Sequence, residues 1–162
     1  MTTGDFTSVE LAREEELLHL PSLSQADALE IGEIALALGQ ARNLPIAIQI
    51  RIGDWMVFHA CLPGSKPEND NWIARKARVV VAKGHSTIFE RVLAEEQEID
   101  WYEVNSMPEE MFAIHGGGLP LNVTDLGLAG ILLISGLPQV EDHMLGVEIL
   151  TEYLARKGEM AV

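Results

Sequence analysis

Cysteine is nearly absent: Cys61 is the only one in 162 residues. An intramolecular disulfide is therefore excluded, which fits a reducing compartment. Basic side chains are scarce, 11 against 25 acidic, for a net charge of −14. Such a charge repels phosphates at long range and argues against nonspecific nucleic-acid binding. Aromatic residues supply only 6% of the chain, so the core must be built from Leu, Ile, Val and Ala. The longest apolar runs, near residues 128–134, are far too short to span a bilayer. Met1 to Asp5 carry no basic start, and no apolar run precedes the acidic segment 13–16, so no signal peptide is expected. These features predict a cytoplasmic protein with neither nucleic acid nor membrane as a partner. Also missing are HExxH, CxxC and an EF-hand loop, so no metal ligand set is expected. Ser135-Gly136 lacks the rest of a GxSxG elbow, so a nucleophilic Ser is not expected either.

What is present suffices for one domain over residues 1–162, with a core over 24–155. A chain of this length buries roughly 70% of the surface its unfolded form exposes. Thr7-Ser-Val-Glu10 has the form of a capping box and predicts a helix over 8–19, closed by Pro21. Ser24 caps a second, Ala- and Leu-rich helix over 26–41. Two β-rich runs, 45–51 and 55–61, flank Gly53-Asp54 and read as a hairpin. In the first, Ile46, Ile48 and Ile50 share one face, giving a strand with one strongly apolar side. A helix capped by Asn69 or Asp70 extends to about Gly84, and another runs from Ser86 or Thr87 to about Gln97. Pro108 suggests a short helical turn over 107–112. Residues 119–123 and 128–135 form a second hairpin around Thr124-Asp125. Pro138 opens a last helix to about Arg156, and the tail 157–162 is expected to fray. Two hairpins framed by helices imply an α/β fold of the α+β type, with an antiparallel central sheet.

The strongest local departure from the average lies at 72–85. Arg75, Lys76, Arg78 and Lys83 are four of the 11 cations, within nine residues. At 100° per residue, Ile73, Ala77, Val80 and Val81 face one way, and Trp72, Arg75, Lys76, Val79 and Lys83 the other. The cationic face is either an anion site walled by Trp72 or a solvated or subunit-facing stripe.

A second feature is His115-Gly116-Gly117-Gly118. Its glycines let backbone approach a ligand and cradle an anion, or they merely give a flexible lead into the next strand. His85 closes the cationic helix, where the dipole favours a protonated imidazole. His143, within Glu141-Asp142-His143, cannot share one ion with both neighbours, since adjacent helical positions diverge. His19 and His59 have no suggestive neighbours.

Four blocks in order complete the reading: Asn69-Asp-Asn-Trp-Ile-Ala-Arg-Lys76, Gly84-His-Ser86, Phe112-Ala-Ile-His-Gly-Gly-Gly-Leu-Pro-Leu121 and Ile134-Ser-Gly-Leu-Pro-Gln-Val-Glu-Asp-His143. Together they resemble an uncharacterised family grouped with the haem-degrading domain, the GlcG/HbpS-like superfamily. The resemblance spans roughly residues 24–155. It implies an antiparallel sheet of about five strands flanked by helices, in a profilin- or PAS-like arrangement. It also implies a homo-oligomer, with dimers assembling into larger rings. Members of the wider group are linked to haem binding or degradation, corrinoid metabolism and glycolate-utilisation gene clusters. Ala74-Arg-Lys-Ala77, Gly117, Gly118, Pro120, Ser135-Gly136 and Asp142 match that group's recurrent motifs. Haem ligands are not uniform across that group; by the resemblance, His85 or His115 is the candidate axial ligand here, and no Cys-Pro or CxxCH haem signature is present.

Three functions follow from these features. The first is a binding protein for a small anionic ligand, with haem or another tetrapyrrole first by analogy, contacted by Trp72, Arg75, Lys76, His85, His115, Gly116, Gly117 and Gly118. The second is an enzyme on a small carboxylate or phosphate with His115 as acid/base. The third is an assembly or adaptor protein without chemistry.

Overall fold

The computed structural model describes residues 1–158; of the tail expected to fray, 159–162 lie outside the described residues. Among the described residues a short 3₁₀ turn, Thr3–Asp5, is followed by ten elements in the order α1 Ser8–Leu17, α2 Gln25–Ala41, β1 Ala47–Ile52, β2 Trp55–Cys61, α3 Pro67–Lys83, α4 Thr87–Gln97, α5 Trp101–Asn105, β3 Gly118–Val123, β4 Gly127–Ser135 and α6 Gln139–Arg156.

The caps read from the sequence set the first two helices. Thr7 and Glu10, then Ser24 and Asp27, satisfy each other's backbone N–H groups as capping boxes. α1 stops at Leu17, two residues earlier than expected. Leu18 N–H turns back to the Glu15 and Glu16 carbonyls, and Leu20 is drawn away to bond backbone with Asn122 and Thr124. α3 starts at Pro67, whose missing N–H costs nothing at the first helical position. Asn69 caps from inside, accepting from Lys66 N–H at 2.8 Å. Pro138 serves as the N-cap of α6 rather than its first turn.

The sheet runs β2-β1-β4-β3, antiparallel throughout. It has four strands among the described residues, not about five. The two hairpins join through β1 and β4, in register from Ala47 opposite Ser135 to Ile52 opposite Gly130. The nearest approach to a fifth strand is one parallel bridge, Leu20 to Val123.

Helices cover both faces. Ile46, Ile48, Ile50, Leu119, Leu121, Leu132 and Ile134 pack with α2 and α6 in the larger core. On the other face Ala47, Ile131 and Leu133 meet Ile73, Ala77 and Val80 of α3. β1 is thus apolar on one side by side-chain type yet buried on both, because α3 lies across Ala47 and Gln49. Each fully buried Leu or Ile contributes about 1.5–3 kcal/mol, so an aliphatic core suffices.

The helical turn expected over 107–112 is not a helix. The helix lies earlier, at α5, where the Asp100 side chain accepts from Tyr102 and Glu103 N–H. Pro108 instead heads a turn that receives the Met111 and Phe112 N–H groups.

Candidate functional site

The site is built where β4 ends. Lys76, expected on an exposed cationic face, is buried. Its position on α3 lies between the sheet-facing row Ile73, Ala77 and Val80 and the row at Val79, which packs with Trp101 and Ile114. Val79 and Val81 exchange the places expected of them: Val79 is buried and Val81 is 61% exposed. Lys76 Nζ donates to the Ile134 carbonyl at 2.9 Å and lies 3.3 Å from Asp142 Oδ2. Both side chains are 3% exposed.

Asp142 sits in the first turn of α6, where the helix dipole favours an anion. It also accepts from Leu137 N–H at 3.0 Å and Gly136 N–H at 3.4 Å, so one carboxylate ties together α3, the β4–α6 turn and α6. Burial pushes its pKa up to about 6, against the lowering effect of Lys76 and the two amides. Burial pushes Lys76 down, with Asp142 opposing.

The three glycines are packing residues, and the flexible lead-in expected of them is absent. All three are buried. Gly117 has φ +124°, and a Cβ there would overlap the Ile134 carbonyl oxygen and lie 2.8 Å from Lys76 Nζ. Gly116 N–H donates to Gln139 Oε1 at 3.2 Å and Gly118 N–H to Thr87 Oγ1 at 3.0 Å. Those two amides are therefore spent inside the protein rather than offered to an anion.

This packing holds His115 over a cleft of about 270 Å³ lined by Asn69, Trp72, Lys76, Ser135, Gln139 and Asp142. The half-buried His115 ring meets Trp72 edge-on, with centroids 4.7 Å apart. Its Nδ1 is buried and has no hydrogen-bond partner among the described residues. Burial, reinforced by Arg91, Lys76 and Arg75, pushes its pKa down to about 4. The imidazole is neutral at pH 7. Asn69 Nδ2 donates to Ser135 Oγ at 3.2 Å, which holds that hydroxyl in the opposite wall.

The remaining cations of α3 neither gather at this cleft nor simply face solvent. Arg75 donates through Nε to the Glu109 carbonyl at 3.0 Å and lies 4.3 Å over Trp72. Arg78 donates to the Met111 carbonyl at 2.9 Å, and Lys83 donates to Asn105 Oδ1. With Ala113 N–H bonded to the Arg75 carbonyl, these contacts clamp residues 105–113 along α3. Two of the partners are backbone carbonyls, which no side-chain pattern reveals.

His85 is not with His115. It stacks on Phe89 at 4.1 Å, and its Nδ1 lies 2.8 Å from Glu15 Oε2. It lines a separate groove with Glu15, His19 and Asp125. His143 faces away from Asp142, as adjacent helical positions must, and its Nε2 meets Glu14 Oε1 at 2.6 Å. His59, expected to stand alone, does not: Asp70 and Cys61 adjoin it.

Residues 23–151 match the family model described as "Haem degrading protein HbpS-like". The chain belongs to this family. Its curated relatives include a UPF0303 protein of Streptomyces avermitilis, 39% identical over 93% of this chain and 92% of that protein. The fold is similar to the crystal structure of the Ybr137w protein, with a TM-score of 0.83 and 25% identity over 93% of this chain and 90% of the other. It is also similar to that of a PduOC–haem complex, with a TM-score of 0.67 and 19% identity over 80% and 94%; at that identity the likeness speaks of fold alone. The matched span contains every residue of the cleft, from Asn69 to Asp142. Sequence reasoning found Trp72, Lys76 and His115 there. It missed Asn69, Ser135 and Gln139 as lining residues, although all three fall inside the four blocks.

Proposed function

We propose that this family member is a small-ligand-binding protein whose site is the cleft beneath His115, with haem or another anionic tetrapyrrole as the first ligand to test. One observation carries the reading: a half-buried imidazole over the cleft, neutral above about pH 4, whose Nδ1 is buried without a partner among the described residues, which leaves Nε2 as the ring nitrogen to meet a ligand. Neutral imidazole is the form that ligates metals, and Trp72 gives it an apolar wall. At about 270 Å³ the cleft lies just below the roughly 300–1,000 Å³ of pockets that enclose drug-sized molecules. It takes a small carboxylate whole, or one edge of a porphyrin whose remainder lies outside, toward Trp72 and Arg75. Lys76 is committed to Asp142, so the cation nearest an anionic group is Arg75, which lies outside the cleft over Trp72 and also serves the Glu109 carbonyl.

Self-association is part of the same proposal. Trp55 and Met56 expose 59% and 48% of their surface on the edge strand β2, and such edges favour pairing. The test of function is a haemin titration of the purified protein, read at the Soret band. A saturable shift supports the reading. No shift removes haem, and calorimetry with small carboxylates and phosphate then decides whether the cleft binds any anion.

A second reading, an enzyme with His115 as acid/base, draws on two titratable groups in one cleft, near 4 and near 6. A base about three units below neutral pH is weakly driven, since efficient catalytic groups titrate near the working pH. That mismatch favours binding over proton transfer. A substrate screen in which His115→Gln keeps every activity found removes the enzymatic role.

A further inference from the structure

A cluster outside the cleft carries its own chemistry. His59 and Cys61 sit two residues apart on β2 and so share one face of the edge strand. Asp70, in the first turn of α3, comes up against them. His59 Nε2 lies 3.0 Å from Asp70 Oδ1 and 3.5 Å from Cys61 Sγ, and Cys61 Sγ lies 3.9 Å from Asp70 Oδ1. These three donors, one imidazole, one thiol and one carboxylate, lie within 4.8 Å of one another.

We propose that His59, Cys61 and Asp70 form a binding site for one borderline divalent cation, zinc or a close analogue. Tetrahedral zinc, with bonds of about 2.0–2.1 Å to N and O and about 2.3 Å to S, sets its N···O ligands about 3.3 Å apart and its sulfur pairs about 3.6 Å apart. The observed separations of 3.0, 3.5 and 3.9 Å depart from these by about 0.3 Å at most, which small side-chain rotations supply. Calcium and magnesium call for oxygen-rich shells and do not suit this set. A thiolate with an imidazole selects zinc-like ions. Three protein ligands leave the fourth position to water or an incoming group. On binding, the Cys61 thiol loses its proton to solvent and its sulfur lone pair forms the metal bond; the imidazole and carboxylate coordinate without further change. The ion would join the edge strand to the start of α3, whose Asn69 side chain reaches Ser135 in the cleft. The proposal does not depend on what the cleft binds.

The test is a cobalt(II) titration of freshly reduced, full-length protein under argon, with magnesium in excess to saturate adventitious acidic sites. One equivalent should produce a thiolate-to-cobalt charge-transfer band and tetrahedral d–d bands, both removed by one equivalent of zinc. Cys61→Ser should lose the charge-transfer band. His59→Gln and Asp70→Asn should each weaken binding by more than about tenfold. All three positions are at least partly exposed, so circular dichroism should show folded variants. Absence of the bands in the wild type, or unchanged affinity in His59→Gln and Asp70→Asn, overturns the proposal.

Discussion

Lys76 Nζ and Asp142 Oδ2 stand 3.3 Å apart with both side chains 3% exposed, joining the middle of α3 to the first turn of α6. The pair forms the floor of the cleft. Its attraction is set against the desolvation of both charges, so its net worth is small while the cost of breaking it is large. Lys76→Met should destabilise by about 3–5 kcal/mol at neutral pH. Asp142 would then lack the ammonium that holds its pKa down. A group whose folded pKa is raised costs stability as pH rises through it, so this loss should shrink toward pH 5. Asp142→Asn should cost a similar amount, without that relief in acid. The double variant should cost less than the two singles combined. Urea unfolding at pH 5 and 7.5 measures all of this, and strict additivity would argue against the pair.

Gly117 should tolerate no side chain. Its φ of +124° and the closeness of the Ile134 carbonyl and Lys76 Nζ combine backbone strain with overlap. Gly117→Ala should lose about 3 kcal/mol or more in urea unfolding. An alanine variant of near wild-type stability would mean that the turn bends differently.

His115 and Asp142 should impose opposite pH dependences. His115 is lowered from 6.5 to about 4, so between those values the unfolded chain binds more protons and stability falls with falling pH. Asp142 is raised from 3.8 to about 6, so in that window the folded chain binds more protons and stability falls with rising pH. The two slopes oppose each other in the wild type. His115→Gln removes one and should leave a protein whose urea midpoint falls more steeply between pH 4 and 6. Parallel profiles for the two proteins would mean that His115 titrates normally.

Local signals made much of the fold legible. Thr7 and Ser24 marked helix starts, and Gly53-Asp54 between alternating apolar runs marked a hairpin. Asp100 was an equally local cap, and the pull of Pro108 obscured it. The site was legible only in part. Periodicity put Lys76 on a polar face because its partner lies 66 residues away. Glu15, which claims His85, is 70 residues from it. His59 and Cys61 were readable as one face of a strand, yet Asp70 joins them only once α3 packs beside β2. Trp72 and His115 were singled out separately, by helix spacing and by the glycines beside the histidine, and the fold brings their rings together.

On the proposed function, His115 presents the ligand-binding face of this cleft and His85 does not. Haemin titrations of the wild type, His115→Ala and His85→Ala, read at the Soret band, test it most directly. A saturable shift in the wild type and His85→Ala, lost in His115→Ala, is the predicted result. No shift in the wild type, or a shift that survives in His115→Ala, would contradict it.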